Sequence, residues 1–101
     1  MGQRLDLHAV LKAIPGVGNV YFQPPESSKI SYPCIIYRRD ASVTDHADNL
    51  PYRRILRYQV TVIDRDADSE IPSEVAQLPS CVFDRHYTAD NLNHDVFTLF
   101  F

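Results

Sequence analysis

Residues 52–64 read YRRILRYQVTVID. Leu56, Tyr58, Val60 and Val62 occupy alternate positions, with Arg53, Arg57, Gln59 and Thr61 between them. Successive side chains of a strand point to opposite faces, so this alternation predicts a half-buried antiparallel strand, the longest in the chain. Ile55 and Ile63 are the exceptions on its polar side.

On the N-terminal side, residues 33–40, PCIIYRRD, are β-branched and aromatic and predict a strand that starts after Pro33. Residues 41–51, ASVTDHADNLP, lack periodicity and are rich in Asp, Ser, Thr and Asn, which predicts a long polar hairpin loop. Residues 3–14 predict a helix with Leu5, Ala9, Val10 and Ala13 as its apolar stripe, stopped by Pro15-Gly16. A short strand over 19–23 and a Pro- and Ser-rich loop over 24–28 follow.

On the C-terminal side, Asp66-Ala67-Asp68-Ser69 fits a turn into a helix, with Asp68 or Ser69 accepting backbone N–H bonds. The helix spans 70–78, with Pro72 in its tolerant first turn, acids near its positive end, and Val75 and Leu78 facing the core. Residues 81–90 and 92–101 predict two strands joined at Asp90-Asn91, residues that tolerate positive φ. That turn places His86 opposite Asp95 and Arg85 opposite Val96. The order α-β-β-β-α-β-β describes one α+β domain over 1–101, a mostly antiparallel sheet with two helices. Its last strand stays apolar to the end, at Phe97, Leu99, Phe100 and Phe101, so it should be packed rather than frayed.

Composition narrows the class. At 101 residues the chain is a single domain. Its 23% charged residues and 11% aromatics exclude a disordered chain. Two cysteines are too few for a disulfide scaffold. No basic and apolar leader opens the chain, and no apolar run approaches the roughly 18 residues of a membrane span. The expectation is therefore a soluble, cytoplasmically synthesised protein without a membrane partner. The net charge of −3 hides a separation. Arg38, Arg39, Arg53, Arg54 and Arg57 flank the polar loop, while Asp64, Asp66, Asp68 and Glu70 crowd one strand-to-helix junction. Opposed patches of this kind suit contacts between subunits.

Chemistry is harder to find. Asp64, Asp66 and Asp68 have the opening spacing of a calcium loop, but Ser69 stands where glycine is needed and Val75 where glutamate is needed. His86 and Asp95 form a cross-strand pair that stabilises a sheet or orients a zinc ligand, yet no third ligand is spaced to join them. Cys34 and Cys81 lack the partners of a nucleophile. Gly16-Val17-Gly18 follows a helix instead of preceding one, which excludes a dinucleotide fingerprint. The expectation is no enzyme, no metal and no cofactor. The arginines with Tyr37, Tyr52 and Tyr58 also fit a small nucleic-acid-binding module, but the pI of about 5.7 is far below that of a basic binding domain.

Residues 78–101, LPSCVFDRHYTADNLNHDVFTLFF, resemble the small tail-completion proteins of long-tailed bacteriophages, with Asp84-Arg85-His86-Tyr87, the run 90–95 and the terminal aromatic strand carrying the likeness. Residues 58–72, YQVTVIDRDADSEIP, and 32–37, YPCIIY, fit it as well. The resemblance implies a tail terminator: an α+β virion protein forming a ring, commonly of six subunits, at the head-proximal end of the tail tube. Such a ring ends tube polymerisation, meets the connector proteins of the head, and lets genomic DNA pass without reading its sequence. Assembly would take place in the host cytoplasm. On this reading the five arginines serve the subunit interface or the lumen, and the four acids the complementary edge. Thr44, Asp45, His46, Asp48 and Asn49 form a docking loop, and Phe97 to Phe101 a packed strand. A head-side connector or head-completion protein is the neighbouring alternative.

Overall fold

The computed structural model describes residues 4–25, 29–47 and 50–101, with the backbone alone for 41–47 and 50–55. The elements run α1 (Arg4–Lys12), β1 (Asn19–Phe22), β2 (Cys34–Ala47), β3 (Leu50–Asp64), α2 (Ile71–Ala76), β4 (Cys81–Ala89) and β5 (Leu92–Phe100). This is the α+β order read from the sequence. The five strands form one sheet in the order β1-β2-β3-β5-β4. Only β1 and β2 are parallel; every other neighbouring pair is antiparallel.

Both helices cover one face. Leu7, Leu11 and Ile14 from the first helical segment meet Ile71 and Val75 of α2 over Ile35, Tyr37, Tyr58, Val60, Val62, Phe97 and Leu99. The alternation of β3 is therefore correct for Tyr58, Val60 and Val62, and Leu56 packs against the same cluster. The predicted helical stripe is not. Leu5 is 66% exposed and Val10 39%, and Ala9 and Ala13 are exposed too. Leu7, Leu11 and Ile14 also recur at helical spacing, and they carry more apolar surface than two alanines, so burying them is the more favourable rotation of the helix. The chain then turns at Gly16, whose φ of +86° is one that side-chain-bearing residues rarely adopt.

In α2 the N-cap is Glu70, which makes no side-chain capping bond. Ser69 contributes from one position earlier, its Oγ accepting the Ile71 N–H at 3.3 Å. Asp68 does not cap; its own N–H donates to Asp66 Oδ1 at 2.9 Å. Val75 is buried and Leu78 packs at the margin of the core, as expected. Asp90 and Asn91 adopt φ of 54° and 62°, the signature of a tight two-residue hairpin turn. The register does place His86 opposite Asp95 and Arg85 opposite Val96.

The main correction falls on residues 41–51. The predicted loop is strand: β2 continues to Ala47, β3 begins at Leu50, and Thr44, Asp45 and His46 pair with Arg54, Arg53 and Pro51. Two Val and Thr positions inside a polar run are enough for pairing when the partner strand is strongly β-forming. The Asp48 and Asn49 part of the docking loop lies outside the described residues.

Candidate assembly surfaces

Three surfaces stand out, and the first is made by β2 and β3. Pairing between β3 and β5 begins only at Arg57, opposite Phe100, and β1 leaves β2 at Tyr37. Beyond Arg57 and Ala41 the two long strands pair only with each other, apart from two backbone bonds between Leu56 and Phe101. They form an arm projecting roughly 20 Å from the sheet, at about 3.3 Å per residue. The molecule is accordingly 51 Å long but only 28 and 23 Å across. Its radius of gyration is 14.6 Å, against about 13 Å for a compact chain of this length. An isolated two-stranded ribbon is marginally stable in water, so an arm of this length is most stable against another surface.

The arm divides the five predicted arginines. Arg53 and Arg54 lie on it, while Arg38, Arg39 and Arg57 lie on the sheet body. Arg38 and Arg39 are neighbours in one strand and point to opposite faces. Arg57 is held by its own chain: its Nε donates to Asp40 Oδ1 at 2.9 Å. The five do not make one patch. Asp40 occupies a bulge, since Arg39 pairs with Tyr58 and Ala41 with Arg57. That extra residue brings the carboxylate beside Arg57 at the root of the arm.

The second surface is the acidic junction, which the structure does assemble. Asp64, Asp66, Asp68 and Glu70 line one shallow recess of about 480 Å³ together with Pro15, Gly16, Ser69 and Ile71. The Asp64 and Asp66 carboxylates are partly engaged by the backbone, accepting the N–H of Asp66 and Asp68 at 2.9 Å each. Among the described residues no three His, Cys, Asp or Glu side chains are grouped to hold a metal ion.

The third surface was missed in the sequence. β4 is an edge strand, exposed along almost its whole length. Val82, Phe83 and Tyr87 are 61%, 53% and 42% exposed. Only the sheet order reveals that nothing within the described chain covers it. Tyr87 stacks on His94 with ring centroids 4.6 Å apart, and Phe83 meets Phe97 edge-on at 5.5 Å.

The terminal strand is packed as expected. Phe97 and Leu99 are buried on the helical face and Val96 on the other, while Phe100 and Phe101 are half-buried. Phe100 and Phe101 border an apolar recess of about 260 Å³ beside Leu7, Val10, Leu78 and Pro79. Burial pushes the Cys34 thiol up to about 11 and raises that of Cys81, so both are held as protonated thiols and are poor nucleophiles. Comparison of the chain with models of protein families, with curated proteins and with solved structures gives no match.

Proposed function

We propose that this chain is a structural virion protein, a tail terminator whose subunits form a ring at the head-proximal end of a phage tail tube. The observation that supports this reading best is the arm. A 101-residue domain that extends two strands past its own sheet gains little stability from them, and gains a surface for a neighbour. In a ring each subunit makes the same head-to-tail contact, so one projecting element and one receiving surface per subunit suffice. The arm carries Arg53 and Arg54, and the acidic recess of Asp64, Asp66, Asp68 and Glu70 offers the opposite charge. The ring would hold the tube end on one side and connector proteins on the other, with genomic DNA passing through its lumen.

The test is assembly. The chain is mixed with tail tubes arrested in growth, and the particles are weighed by native mass spectrometry and imaged. Rings on one tube end, and tubes of limited length, are expected. Arg54→Glu should weaken ring formation while leaving the subunit folded. Normal rings and infectious particles with this variant would remove the arm's charge from the interface. Rings found only on the head side would instead favour the connector.

A further inference from the structure

The exposed edge strand carries a pattern that reads the same in both directions. From Val82 to Tyr87 it runs Val-Phe-Asp-Arg-His-Tyr. The outer pair is apolar or aromatic, the next pair consists of two flat rings, and the inner pair is an acid beside a base. An open edge with apolar side chains invites another strand, and here the edge is its own complement. We propose that β4 pairs antiparallel with β4 of a second copy of this chain, with Asp84 of each copy opposite Arg85 of the other. Phe83 then faces the second copy's His86, and Val82 its Tyr87.

The bulge in β4 makes this register possible. A two-fold axis normal to the sheet requires paired residues to lie on the same face of the sheet. In a regular strand Val82 and Tyr87 would point to opposite faces, because they are separated by an odd number of residues. The observed register shifts between Phe83, which pairs with Phe97, and Arg85, which pairs with Val96. One residue, Asp84, is therefore extra. Phe83 and His86 share the helical face, opposite Phe97 and Asp95. Val82, Arg85 and Tyr87 share the other, opposite Thr98, Val96 and His94. Both flanking pairs of the proposed register thus meet on one face, which a strand without the bulge would not permit, and the 2.9 Å contact of the Asp84 carboxylate with Arg85 puts Asp84 on the side of Arg85.

The side chains are available. Asp84 and Arg85 already touch at 2.9 Å within the chain, and their side chains remain 43% and 56% exposed. Turning this pair across the axis gives two opposite-charge contacts, whereas a shift of one residue either way sets Arg85 against itself or against Phe83. Cross-strand aromatic and opposite-charge pairs are the kinds that favour one register over another. The contact closes on itself and leaves the arm and the acidic recess free, so it is independent of the ring reading.

Analytical ultracentrifugation of the full chain tests the proposal, with circular dichroism confirming that each variant is folded. The wild-type chain is expected to dimerise. Asp84→Arg and Arg85→Asp each set like charges across the axis, so each alone should be monomeric. Mixed in equal amounts they should dimerise again, because every substituted position then meets its opposite sign. The contact within one chain is broken in both variants, so recovery on mixing reports only pairing between chains. Val82→Lys with Tyr87→Lys in one chain, mixed with Val82→Glu with Tyr87→Glu in another, gives the same test at the ends of the register, should either central variant misfold. A monomeric wild-type chain, single variants that associate as the wild type does, or mixtures that stay monomeric would each overturn the proposal.

Discussion

The two halves of β3 belong to one strand and share one partner in β2, yet they live in different environments. From Arg57 to Asp64 the strand is flanked by β2 on one side and β5 on the other, and it sends Tyr58, Val60 and Val62 into the core. From Leu50 to Leu56 it has β2 alone, apart from the bonds of Leu56 to Phe101. The central half is held by burial, and the arm half by its ladder. On the proposed reading, the arm is understood by what it meets in a ring.

The comparison breaks most sharply in the core. Phe97→Ala, which removes a buried ring between the helices and the sheet, should destabilise the chain by about 3–5 kcal/mol. Against a total of about 5–15 kcal/mol, that leaves little margin in a chemical denaturation series. Excising the arm should do far less. Ser42 and Leu56 are paired, so Asn-Gly can join them in place of 43–55 and leave Leu56 on the core. The thermal midpoint should move by no more than a few degrees, whereas ring formation should be lost. Unfolding of the shortened chain would show that the arm belongs to the core after all.

Hydrogen exchange sharpens the same comparison without a mutation. In the free protein, amides of 58–64 should exchange at least ~100-fold more slowly than those of 51–55, since doubly flanked ladders open only with the whole sheet. Assembly should slow the arm and leave the body unchanged. At the root of the arm, Asp40→Asn removes the partner of Arg57. This exposed pair should contribute only about 0.2–1 kcal/mol, read as a small drop in denaturation midpoint that added salt diminishes.

Legibility in the sequence followed the same division. The central half of β3, both helices, the terminal hairpin and its register could all be read, because alternation, proline placement and the Asp90-Asn91 turn act locally. Of the arm, residues 52–56 could be read as strand but 41–51 could not, because that stretch is polar and nothing local distinguishes a loop from a ribbon paired only with itself. The helix face was misjudged for a different reason: Leu5 and Val10 compete with Leu7 and Leu11 for burial, and only the shape of the sheet decides. The acidic junction was legible from spacing. The exposed edge of β4 was not, since strand order and the bulge at Asp84 are properties of the assembled sheet.

The smallest expected effect concerns how α1 is fastened to the body. The buried Tyr37 hydroxyl lies 2.8 Å from His8 Nδ1, and with the ring proton on Nε2 neutral His8 accepts a bond that charged His8 cannot accept at that nitrogen. Burial, with Lys12 and Arg4 nearby, lowers the His8 pKa below its ordinary value. A lowered histidine pKa means that the unfolded chain takes up the proton first as pH falls. Stability should therefore be full above about 6.5 and decline as the pH drops from there towards the folded-state value, with no further loss below it. His8→Asn keeps an acceptor for the tyrosine and cannot titrate, so its thermal midpoint should fall less than that of the wild type between pH 7 and pH 5. Equal slopes for the two proteins would mean that the carboxylates alone set the acid response. α1 would then be held to the sheet by Leu7 and Leu11 rather than by the hydrogen bond.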